Sequence, residues 1–219
     1  MRQGNGSSGN GWRPSSDGPR ARSPLGEIEE YWRALKAESD FLPRRSDVNA
    51  KQFAGALPYA FLLERAAPGV ARFRLAGQAV KDLLEEEPKG LPLSVMFTSG
   101  SRVTLQGWLD RCFDGPGLVE LLLEAPQGAL RQPIRGRLLL LPLLDQDDCA
   151  TRALGGLFLD GMPRRSNVRF DLSDAVPRVE TISRPRPNLV FAQAPERTAL
   201  PGLREAERPY LRLVVSNPD

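Results

Sequence analysis

The side chains available for chemistry in this 219-residue chain are arginines, carboxylates and two cysteines, because it has no histidine. That excludes imidazole acid–base catalysis, His-ligated zinc or haem, and His phosphotransfer. Cys112 and Cys149 are not spaced as a metal or redox motif. The densest candidate is "LPRRSDV", residues 42–48, with Arg44, Arg45 and Asp47. One reading is an anion or partner loop in which Asp47 orients an arginine. The other is local: Ser46 or Asp47 caps the helix that follows, and an arginine pairs with Asp47 across the turn. The string returns as "MPRRSNV" at 162–168, but the flanks "AESDF" and "LFLDG" share no pattern. With 20 Pro and 30 basic residues, all but four of them Arg, the recurrence is coincidence.

Three further groups carry weaker chemistry. In "ARFRLAG", Arg74 could bind a carboxylate or phosphate, or lie on a solvated strand face, with Gly77 chosen for backbone freedom. Phe97, Trp108 and Cys112, with Met96 and Phe113, could line a cavity; core packing is the commoner fate of such residues. Tyr210, Leu211, Leu213, Val214 and Val215 form a β-prone patch near the C-terminus, suited to adding a strand to an exposed sheet edge. Glu85–Glu87 read as a solvated helix end, and Asp145, Asp147 and Asp148 as a hairpin turn. No nucleophile stands beside a base, so the expectation is a non-enzyme. No cofactor or metal is expected: neither cysteine lies in the Asn-Cys-Arg-Phe setting of a flavin photosensor.

These residues need elements to position them. Hydrophobic residues make up 41% of the chain and concentrate between about Leu25 and Met162, enough for one core. "PLGEIEEYWRALKAES" has apolar residues at helical spacing, with acids early and bases late. Residues 59–77 read as a β-hairpin turning at "APG". "QAVKDLLEEE" and "SGSRVTLQGWLDRCF" read as helices, and 118–125, 134–144 and 153–160 as three strands of a meander. The pattern is α+β, one antiparallel sheet with helices on one face. The boundaries are a disordered arm at 1–24, a domain at 25–162, a Pro/Arg-rich linker at 163–209 and a docking motif at 210–219.

Net charge is only +3, with no dense basic run, so no DNA partner is expected. No apolar run reaches the roughly 18 residues a membrane span needs. The N-terminus has no apolar h-region, and a reducing cytoplasm suits the two cysteines.

Several motifs together resemble a single-domain PAS-like family, mostly alphaproteobacterial and long filed as of unknown function. They are Tyr31-Trp32, Pro43 to Asp47, Leu57-Pro58, Leu62 to Glu64, Arg72 to Gly77 and the strand "ALGGLF". The tail "RPYLRLVVSN" resembles one common in that family. Two departures stand out: Ala50 replaces a usual Pro, and "LLEEEPKG" replaces an aromatic-Gly-Arg motif. The resemblance implies a five-stranded antiparallel sheet in order 2-1-5-4-3, with the helices between strands two and three walling a pocket. The expectation is a sensory or protein-interaction module whose partner is another protein or a second copy of the chain, and whose input is a small molecule in that pocket or no ligand at all. The alternative is a receptor for a cyclic dinucleotide or another small anion, bound through Arg44 and Arg45.

Overall fold

The hydroxyl of Ser23 accepts from the Gly26 N–H at 3.1 Å and opens α1 (Pro24–Ala37). Pro24 fills the first position, where no N–H is required, and Lys36 closes the last turn beside the free carbonyls. The computed structural model describes residues 23–126, 132–161, 163 and 168–184. Of the arm read at 1–24, residues 1–22 lie outside them, while Ser23 and Pro24 open α1; the patch Tyr210–Val215 also lies outside them.

β1 (Ala60–Ala67) turns at Gly69, φ +66°, into β2 (Val70–Ala76). α2 (Gln78–Leu84) and α3 (Ser99–Phe113) follow, then β3 (Gly117–Ala125), β4 (Ile134–Leu143) and β5 (Arg152–Leu159). The sheet is antiparallel in order β2-β1-β5-β4-β3, the expected 2-1-5-4-3, and is extended by two short strands. These are β6 (Asp171–Leu172) and β7 (Arg178–Thr181), which pair with opposite ends of β3.

Three features depart from the sequence expectation. First, both sheet faces are covered. On β4, Leu138 and Leu140 enter a core with Leu105, Leu109 and Phe113 of α3, while Leu139 and Leu141 enter a second core with Leu25, Ile28 and Trp32 of α1. The continuous leucine run after Arg137 is the signature of a strand buried on both sides. α1 lies close because β5 carries Gly156, where a Cβ would stand 2.5 Å from Leu25 Cδ2 and 2.9 Å from Ile28 Cδ1. Trp32 Nε1–H donates to the Pro142 carbonyl at 3.0 Å and fixes the helix on β4.

Second, β2 is not the regular arm of a hairpin that the pattern predicts. Leu62 faces Leu75 but Leu63 faces Phe73, so Arg74 is the extra residue of a bulge. Phe73 is fully buried, whereas Leu75 turns to the opposite face and is 57% exposed. Third, the fold does not stop at 162. Phe170, in the stretch read as linker, is fully buried in the α3 core. Its N–H donates to the Met96 carbonyl at 2.8 Å and its carbonyl accepts from Thr98 N–H at 3.0 Å. Polar flanks hid one buried aromatic and two strands too short to show a period.

Candidate functional site

The Arg44–Asp47 loop is held from three sides. The Leu144 N–H donates to the Pro43 carbonyl at 2.9 Å, and the Arg45 N–H donates to the Leu144 carbonyl at 2.8 Å, tying the loop to the end of β4. Asp47 Oδ2 accepts from the Arg44 N–H at 3.0 Å, and Oδ1 accepts from the Ser46 hydroxyl at 3.1 Å. The Tyr31 hydroxyl donates to the Asp47 carbonyl at 3.3 Å and accepts from the Asn49 N–H at 2.6 Å. Asn49 Oδ1 in turn caps the next turn by accepting from Lys51 N–H at 3.1 Å. Asp47 therefore serves the loop backbone and pairs with neither arginine side chain.

The two arginines differ. Arg44 makes an ion pair with Asp148, in the turn between β4 and β5. Arg45, half-buried, makes no side-chain hydrogen bond or ion pair among the described residues. Of the acidic residues that line the cleft beside it, Asp147 makes no ion pair among the described residues and Asp145 is engaged by its own turn. Asp145 accepts from the Thr151 hydroxyl at 2.5 Å, Cys149 N–H at 3.0 Å and Asp147 N–H at 2.9 Å. Those bonds, the Thr151 hydroxyl first, hold the Asp145 carboxyl below the usual carboxylate range.

Arg45 borders two depressions. A polar cleft of about 510 Å³ is lined by Arg44, Arg45, Ser46, Asp145, Asp147 and Arg152. A groove of about 490 Å³ is walled by apolar side chains, among them Val48, Phe53, Leu57, Leu62 and Leu75. Ala50, at the position where a Pro is usual, also lines it. Leu57 and Leu75 remain 42% and 57% exposed. The groove lies on the α1 side of the sheet, since Leu62 and Leu154 belong to the second core. At one end stands Gly77, with an ordinary φ of −72°. Space requires this glycine: a Cβ would come within 2.2 Å of the Leu57 carbonyl oxygen.

The remaining candidates lie elsewhere. Arg74 pairs with Glu64, which also pairs with Arg152, and borders neither depression. Phe97 and Cys112 are buried in the α3 core and Trp108 packs partly against it. Burial pushes the Cys112 thiol up to about 12. Glu85 ends α2 in the left-handed conformation, and Glu87 pairs with Lys81 at 2.7 Å. Among the described residues, no group of three or more Cys, Asp or Glu is placed to hold a metal ion. No described helix is long and apolar enough to cross a membrane. Sequence reading missed Val48, Phe53, Leu57 and Leu75 as groove walls. The signal for Leu75 was weak, because only the bulge turns it outward.

A family model described as PAS domain matches residues 20–158, more than half of the chain. The chain belongs to that family, and its sheet order and helix placement are those the family implies. No curated protein matches it.

Proposed function

We propose that this PAS-domain chain is a non-enzymatic sensory and protein-interaction module of cytoplasmic regulation. Its output would be contact with a protein partner, a second copy included, with Tyr210–Val215 as one docking element and no cofactor. One observation carries the reading: an open apolar groove with two exposed leucines stands on a sheet whose two cores are otherwise packed. Soluble domains keep such surfaces for binding. Native mass spectrometry of the full chain from its own host tests it. Co-purification of a partner, a dimer or a ligand is expected; a bare monomer throughout would overturn it.

The second reading, an anion receptor for cyclic dinucleotides, is favoured by the guanidinium of Arg45, which has no ion pair among the described residues, over a polar cleft. Calorimetric titration with cyclic dinucleotides separates the two. Low-micromolar binding abolished by Arg44→Ala with Arg45→Ala would establish the receptor; no heat of binding would remove it.

A further inference from the structure

The groove and Arg45 form one amphipathic site, and we infer that it binds an aliphatic monocarboxylate, with the chain along the β1–β2 wall and the carboxylate at Arg45. This deepens the sensory reading by naming a ligand class for the groove. The site is not the helix-walled pocket expected between strands two and three. That region is filled by Phe97, Met96, Leu105 and Cys112, each 2% exposed or less. The groove lies across the sheet, on the α1 side, where Leu62 and Leu75 pair.

Three observations specify the occupant. The first is wall chemistry: Val48, Phe53, Leu57, Leu62 and Leu75 offer no hydrogen bonds. A sugar or phosphate pressed against them would lose its water contacts without replacement, whereas methylenes lose nothing. The second is charge. Arg45 is the cation shared by the groove and the polar cleft. Among the described residues, Asp47 is occupied by backbone and Ser46, Asp148 by Arg44 and Asp145 by its own turn, and Asp147, which also lines the cleft, makes no ion pair with Arg45. A fixed loop thus presents a guanidinium that lacks a carboxylate, the group whose geometry a guanidinium matches in bidentate fashion. The third is size: about 490 Å³ lies within the roughly 300–1,000 Å³ range of small-molecule sites. Among the described residues, Arg45 is the one cation that lines the groove, Arg44 and Arg152 of the cleft being paired with Asp148 and Glu64, and the polar cleft beyond Arg45 gives the head group access to water.

Calorimetry on the full chain with decanoate below its micelle concentration is the test. Decanol is the uncharged control and butyrate the short-chain control. Decanoate should saturate at one site, with decanol and butyrate each about tenfold weaker or more. Arg45→Gln should reduce decanoate binding to the decanol level, and Arg45→Lys should restore part of it. Leu75→Glu, at an exposed position, should weaken decanoate and decanol together. Equal binding of decanoate and decanol to the unaltered protein overturns the proposal without reliance on any variant. So does undiminished binding by Arg45→Gln. Capture of anionic phospholipid vesicles without binding of free decanoate overturns it in favour of a membrane surface. Failure of decanoate with survival of partner capture refutes the ligand and leaves the interaction module standing.

Discussion

Arg44 and Arg45 are adjacent in sequence and unlike in circumstance, one paired with Asp148 and the other without a side-chain partner among the described residues. The capping roles in this loop were legible: Ser-Asp-x-Asn is a run of residues that bond nearby backbone, and Asp47 and Asn49 do so. Which arginine is free was not legible, because it depends on a turn about one hundred positions away. The two cysteines give a clean contrast at the same scale. Cys149 is exposed, while Cys112 is fully buried with its thiol pushed up to about 12 by that burial. Since the thiolate is the reactive form, a thiol reagent should modify Cys149 alone in the native protein. Mass spectrometry should show one adduct natively and two after denaturation; rapid native labelling of Cys112 would contradict its packing.

Among elements, β7 owes its place to charge. Arg178 donates to Glu120 of β3 at 2.8 Å and to Glu29 of α1 at 3.0 Å, and Arg33 of α1 reaches Glu180 at 2.6 Å. Burial pushes the Glu29 carboxyl up, but Arg178 and then Arg33 outweigh it and hold it below the usual glutamate range. A carboxylate depressed in the folded state contributes stability above its unfolded pKa and loses it as pH falls through the folded value. Acidification below the ordinary glutamate range should therefore release β7 before the central strands. Hydrogen exchange at Glu180 and at Ile182, whose N–H donates to the Pro116 carbonyl, should accelerate there while Leu139 and Leu140 stay protected; simultaneous loss would show that β7 is no separate unit. Pattern reading found β1 to β5 because each is long enough for alternation or a leucine run to register. It missed β6 and β7 because a strand of two or four residues has no period, and its partners are set by the fold.

For the molecule as a whole, the family motifs made sheet order readable from residues 31–77 and 153–158 alone. What they did not convey is that the sheet separates two cores, or that one of them includes Phe170. Truncation of so deeply buried an aromatic removes its transfer energy and leaves a cavity, so Phe170→Ala should cost about 3–5 kcal/mol. Urea unfolding checks it; a loss under about 1 kcal/mol would mean that the segment carrying Phe170 is not part of the cooperative unit.

The family match ends at 158, but among the described residues the outer edge of β3 is covered by residues 171–181. A chain shortened to the matched stretch would bare a strand whose outward N–H and C=O groups have no mate, next to an unfilled hydrophobic slot. Strand exchange between copies is the obvious remedy for both deficits. Such a fragment should emerge from refolding as interlocked oligomers, and a synthetic peptide spanning residues 168–184, added during refolding, should return it to monomers.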